Sequence, residues 1–240
     1  MSNEIILVKS ADRTSDSSSS SNFTVQLPRT LEGTYEILYA TVFNTSYPIN
    51  STNYTIYFYE NSTNKSANLT AGSYSTTGSN SIATAIGTVM TTASGGYATF
   101  TATISTITNL ITISSTQNFK LMFGTYTTNS AYQVLGFAQS DSATSTTSQV
   151  GTLIPNLSGL SSLSINIADC DANWMGKSSG NILIPLDVSY GSMKHFLIDN
   201  FPQYLKFPRS STKLNITVCD TNRKQIDLNG SDFEFAIKKV

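Results

Sequence analysis

At 240 residues the chain can hold one large β domain or two small ones, and all-β sandwiches reach roughly 200–250 residues as single domains. Its 12 tyrosines, 12 phenylalanines and net charge of −1 exclude the disordered class, which combines low hydrophobicity with high charge. Only 12% of the residues are charged and the basic ones are scattered, which excludes nucleic acid as the main partner, because neutralising a phosphate backbone takes clustered Lys and Arg.

What remains is a neutral surface rich in Ser, Thr and Asn. Such a surface permits tight packing against copies of the same molecule, since charge repulsion does not hold them apart. Lys206, Arg209, Lys213, Arg223 and Lys224, with Lys238 and Lys239, read as solvated loop and strand-edge charge. The apolar run Ile5 to Val8 is too short for a signal peptide and follows Glu4. No stretch nears the roughly 20 apolar residues of a membrane span, so cytosolic synthesis without a span is expected. Asn-x-Ser/Thr triplets, from Asn22 to Asn229, arise by chance in such a composition and are expected to be unmodified. Cys170 and Cys219 are expected as buried thiols, with a bridge left open.

In chain order, Glu4 to Lys9 is a short β-prone run, and Thr14 to Asn22 is a low-complexity polar stretch that cannot bury a core. Within it, Ser17 to Ser21 reads equally as a flexible loop or as a linker letting residues 1–10 reach a neighbouring molecule. Phe23 to Leu27 alternates apolar and polar side chains, as a half-buried strand does, and Pro28 is expected to end it. Strands follow at Thr34 to Phe43 and Tyr54 to Tyr59, then a polar loop over Asn61 to Thr70. Ile82, Ile86, Val89 and Met90 fall at helical spacing, with Ser79 or Asn80 able to cap the start and Gly95-Gly96 past the end. Tyr97 to Ile104 and Leu110 to Ser114 read as a hairpin, and Phe119 to Phe123 as a further strand. Residues 138–150 read as a second polar loop. Leu163 to Ile167 and Ile182 to Leu186 are strands, whereas residues 191–204 show no clear period. Lys213 to Val218, Gln225 to Leu228 and Phe233 to Ile237 predict terminal strands, the last two paired around Asn229-Gly230. Roughly ten strands with one helix, short and long connections and no repeat suit a Greek-key sandwich, of which the jelly roll is the eight-stranded form. The absence of alternating helices excludes a parallel α/β sheet.

The search for chemistry finds nothing specific. The one histidine, His195, sits in the apolar context Met193 to Leu197 and reads as a satisfied structural residue. Two cysteines and one histidine make only a partial zinc set. Asp169 and Asp171, with Asp187 later, lack the acidic series, glycine and glutamate of a calcium loop and read as turn residues. Gly95-Gly96 lacks the flanks of a phosphate loop. Trp174 is the only tryptophan, and Tyr54, Tyr57 and Tyr59 read as half core and half interface rather than as sugar-stacking rings. No catalytic, cofactor-binding or metal-binding residue is expected, and no enzyme.

Several stretches resemble, in order, the penton or minor capsid single jelly-roll proteins of virophages, polinton-like viruses and large icosahedral DNA viruses. They are the short first strand, the Ser-rich gap and Asn22-Phe-Thr-Val-Gln-Leu-Pro28, then Tyr35-Glu-Ile-Leu-Tyr-Ala40 and Asn44-Thr-Ser-Tyr-Pro-Ile-Asn50. Gly72-Ser-Tyr-Ser75 leads into the helix, and Leu135-Gly-Phe137 follows. Leu214 to Asp220, Gln225 to Gly230 and Phe233-Glu-Phe235 resemble the final strands. The resemblance implies an arm and linker over residues 1–21 and a jelly-roll domain over 22–240, without an obvious inserted outer domain. It implies a structural capsid protein forming a homopentamer at the fivefold vertex. Its partners would be double jelly-roll major capsid protein and other minor capsid proteins, with no nucleic acid. The chain would be made in the host cytoplasm and end in the virion. The alternatives are a carbohydrate- or receptor-binding fibre head or lectin-like jelly roll, and a minor capsid or cement protein between capsomers.

Overall fold

The structure is a computed structural model describing residues 5–143, 145–168, 170–172, 182–186, 191–197, 202–220 and 223–240. Asp169, Trp174 and Asp187 lie outside the described residues. Strands β1 (Ile5–Lys9), β2 (Asn22–Phe43), β3 (Thr55–Glu60) and β4 (Thr63–Asn68) precede the helix α1 (Ile82–Ser94). After it come β5 (Phe100–Ile104), β6 (Ile111–Leu121), β7 (Thr146–Val150), β8 (Ser162–Ile167), β9 (Asp171–Ala172) and β10 (Ile182–Pro185). The chain closes with β11 (Met193–Leu197), β12 (Tyr204–Cys219) and β13 (Phe233–Lys239). All strand pairings described are antiparallel. The protein is therefore of the expected class, mostly β with one α-helix and two antiparallel sheets, consistent with a jelly roll.

Contacts group the chain into two compact units, residues 1–46 with 160–240, and residues 47–159. Each has its own hydrophobic cluster, one drawn from Ile6 to Val42 and Leu163 to Ile237, the other from Ile49 to Phe137. Residues 47–159 thus form an inserted unit, which the sequence did not suggest because both units are β-rich and polar alike. The boundary expected at residues 21 and 22 falls inside the first unit.

The first unit holds an eight-stranded sheet in the order β1-β13-β2-β12-β8-β10, with β11 also on β2 and β9 on β12. Phe23 and Val42 would stand about 60 Å apart on a straight strand. Yet the Phe23 ring lies 5.4 Å from that of Phe233, whose backbone pairs with Val42. The 22-residue β2 therefore bends back, and the sheet closes on itself as two facing layers. The burial pattern records how. Phe23, Val25 and Leu27 face inward, and so do Tyr35 and Ile37, but beyond them the inward residues are Ala40 and Val42. The phase changes because β13 advances one residue, Ile237 to Ala236, while β2 advances two, Ile37 to Tyr39, so Leu38 is the extra residue of a β-bulge.

Pro28 does not end the strand. It lies between Gln26 and Leu31, where the β12 register shifts, and a residue without an N–H is tolerated at such an irregularity. The Ser-rich stretch is neither a free loop nor a reaching arm within this chain. Thr14 donates its N–H to the Thr24 carbonyl at 2.8 Å, Thr24 donates to Ser17 Oγ at 3.0 Å, and Val218 donates to the Ser21 carbonyl at 2.8 Å. Ser10, fully buried, donates to Asp232 Oδ1 and accepts from the Phe233 N–H. β1 is thereby held along β13 in its own sheet.

In the second unit the sheet order is β4-β3-β6-β5, with β7 also on β6. β4 arises where a polar loop was expected, because Asn61 and Ser62 both adopt positive φ, 44° and 57°, and close a two-residue turn that matches strand twist. Helix α1 forms as its period indicates, but its cap is Ser81, which accepts from the Ala83 N–H, and it ends at Gly95 with φ 67°. Ile82, Ile86 and Met90 face the core, and a Cβ on Gly87 would stand 3.1 Å from the Phe100 carbonyl oxygen, so glycine lets the helix lie close on β5. β6 joins two segments read as separate, and β7 forms inside the expected second polar loop. At the C-terminus Asn229 and Gly230 do turn, with φ 49° and 79°. They do not join a strand pair, because Gln225 to Leu228 meets the sheet only through the Cys219–Gln225 bridge and β13 pairs with β1 and β2.

Candidate functional site

Among the described residues weighed for chemistry, His195 lies on β11, Asp171 on β9 and Cys219 on β12. Alternation along β11 turns Met193, His195 and Leu197 outward while Lys194 and Phe196 point toward the inner side. His195 is therefore exposed rather than enclosed; its Nδ1 is 2.7 Å from Thr41 Oγ1 and its ring is 5.3 Å from that of Tyr39. Asp171 is exposed on β9 opposite Lys206. Among the described residues no three His, Cys, Asp or Glu gather as metal ligands.

Both cysteines are thiols, Cys219 buried and Cys170 partly so. Burial pushes the Cys219 thiol up from its ordinary value, against the opposing hydrogen bond from Asn166 Nδ2 at 3.2 Å. Cys170 and Asp171 line a shallow depression with Pro208, Arg209, Ser210 and Ser211.

Lys206, Arg209 and Lys213 occupy exposed positions of β12 beside inward Leu205, Phe207 and Leu214, as solvated strand charges do. Tyr57 and Tyr59 lie on the side of β3 away from Ile56 and Phe58. Tyr57 stacks on Tyr126 with ring centroids 5.1 Å apart and donates its hydroxyl to the Thr128 carbonyl, so the two rings cover one another.

The feature that does assemble is a surface. β1, β13, the end of β2 and β11 lie side by side. The registers place Leu7, Ala236, Tyr39 and Leu197 in one row across these strands. Lys9, Glu234, Thr41 and His195 form the next row, and Phe43 and Met193 the one beyond. Side chains of paired residues share a face, and the inner face is taken by Val8, Phe235, Ala40 and Phe196. On the outer face Ile5 is 59% exposed, Leu7 44%, Phe43 40%, Met193 55% and Leu197 55%. Lys9 Nζ stands 3.8 Å from Glu234 Oε2, and burial together with Glu234 pushes the Tyr39 hydroxyl up from its ordinary value. The face therefore carries five exposed large hydrophobic side chains in rows that alternate with charge-balanced polar ones, and exposed apolar clusters rimmed by polar residues mark interaction sites. Sequence reasoning missed it because β11 carries Phe196 inward beside outward Met193 and Leu197, which hides its period of two.

No family model matches the chain, and no curated protein sequence matches it. Among solved structures the chain is similar to the penton protein of mavirus, at 8% sequence identity and a TM-score of 0.45, over 99% of this chain and 92% of that one.

Proposed function

We propose that the chain is a non-catalytic structural subunit of an icosahedral viral capsid, a penton protein that closes as a homopentamer at the fivefold vertex. The observation that carries the reading is the apolar outer face of β1, β13, β2 and β11, on a chain whose net charge of −1 offers no long-range repulsion between copies. The ordered series of sequence motifs that resembles penton and minor capsid jelly rolls supports it. In this role the subunit meets double jelly-roll major capsid protein around its rim and other minor capsid proteins, and it resides in the virion after synthesis in the host cytoplasm.

Light scattering on the purified chain tests the reading. A particle of five 25.9 kDa chains is expected, from heterologous contacts that close into a ring. A trimer would point instead to a fibre head or to a protein between capsomers. A monomer at high concentration, unchanged by added major capsid protein, would overturn the vertex role.

A further inference from the structure

Eleven large hydrophobic residues are exposed among those described, and all but Tyr97 fall into two patches. The first is the outer face of β1, β13, β2 and β11. Val240 belongs to it, because its N–H donates to the Thr34 carbonyl and so continues the β13–β2 ladder two residues beyond outward-facing Lys238. The second patch comprises Ile107, Val150, Leu153 and Ile154, exposed by 90%, 55%, 62% and 63%. Ile107 tips the β5–β6 turn, just past the Ile104–Ile111 pair. Gly151, next to Val150, donates its N–H to the Ile111 carbonyl at 2.8 Å beside the base of that turn, and Leu153 follows it with its N–H on the Gly136 carbonyl at 2.9 Å.

Charge decides what can cover the first patch. Lys9 and Lys238 are balanced there by Glu36 and Glu234, so the face is neutral and suits neither a polyanion nor a polycation. The second patch has no Asp, Glu, Lys or Arg in residues 104–111 or 142–160, so bringing the two together sets no like charges in opposition. Size agrees: four strands at about 4.8 Å, with five to eight residues each at about 3.3 Å, give a projected footprint of roughly 300–500 Å². Side-chain relief carries such a footprint toward the ~800 Å² per partner of a stable interface. A chain bearing two different neutral apolar patches satisfies both with copies of itself, each giving one patch to one neighbour and the other to the next, which is the heterologous contact that closes rings.

We propose that the outer face of β1, β13, β2 and β11 in one molecule docks on the Ile107–Val150–Leu153–Ile154 patch of a second copy. This deepens the ring reading above and rests on it for closure, though not for the contact itself.

Two variants of the full chain test it by light scattering, with circular dichroism confirming that each is folded. Leu7→Lys with Leu197→Lys blocks the first patch; Leu153→Ser with Ile154→Ser blocks the second. The wild type is expected to be oligomeric and each variant alone monomeric. Mixed one to one, they should yield a particle of two chain masses, since one intact pair of patches survives. A folded variant that keeps the wild-type mass, or a mixture that stays monomeric, overturns the docking mode while leaving an oligomeric wild type in accord with the ring. A wild type of some number other than five, with the mixture still dimerising, overturns the pentamer and upholds the contact. A monomeric wild type overturns the contact, and the ring as well if added major capsid protein leaves it monomeric.

Discussion

Glu60 ends β3, and strand alternation turns it inward with Ile56 and Phe58. It is 1% exposed, and neither carboxylate oxygen has a hydrogen-bond partner. Leaving a buried polar group unpaired costs about 1–3 kcal/mol, so Glu60→Leu is expected to raise stability by an amount of that order. Urea denaturation measures it, and a lowered midpoint would reveal a partner for the carboxylate. Asp141 is the opposite case. Partial burial acts to raise its pKa, but hydrogen bonds from Thr125 Oγ1 and N–H and from the Gly124 N–H outweigh it and hold the carboxyl below its ordinary 3.8. A depressed carboxyl stabilises the fold above its unfolded-state value, and this contribution disappears as pH falls through the lower folded-state value. Acid unfolding of Asp141→Asn below about pH 4 should accordingly be shallower than that of the wild type, while the two converge at the acid end. The Leu135-Gly-Phe137 motif also has a local account: Leu135 and Phe137 are buried, and Gly136 has φ 78° with its would-be Cβ 2.1 Å from the Leu153 carbonyl oxygen.

Gln203 shows how an element is completed by a side chain. It is buried just ahead of β12, and its amide accepts from the Leu183 N–H at 3.0 Å and donates to the Leu183 carbonyl at 3.1 Å. Its own carbonyl accepts from the Ile37 N–H at 2.9 Å. The side chain thus extends the ladder of β10 where β8 supplies only one side. Gln203→Leu leaves both Leu183 groups unpaired and is expected to cost about 1–3 kcal/mol in denaturant unfolding, whereas Gln203→Asn, one methylene short, should lose both bonds for a similar cost. Elements with strong local signals were legible in the sequence: α1 from its period of 3.6 and Gly95, and the start of β2 from Phe23, Val25 and Leu27. β4 and β7 were not, because Thr63–Asn68 and Thr146–Val150 are polar, and cross-strand hydrogen bonding rather than propensity makes them strands.

At the scale of the molecule, the separate cores have a consequence. All strand partners of β3, β4, β5, β6 and β7, and the helix packed on them, lie within residues 47–159. A stretch with its own core and its own hydrogen-bond ladders meets the description of a domain able to fold alone. The excised segment 47–159 is expected to give a cooperative unfolding transition and a β-rich circular dichroism spectrum with a helical contribution. A random-coil spectrum would show that its core needs the other unit.

Composition and local pattern were enough to determine an antiparallel β protein with one helix and a near-zero net charge. These follow from the near-neighbour chemistry of side chains, which a single chain displays openly. Tertiary structure alone decided that residues 47–159 interrupt the first unit and that β2 bends until Phe23 meets Phe233. It alone decided that Leu7, Leu197 and Phe43, far apart in sequence, share one outer face. Those outcomes depend on register and on which strands pair across long loops. A shift of one residue reverses every side chain's face, and no local signal carries that information.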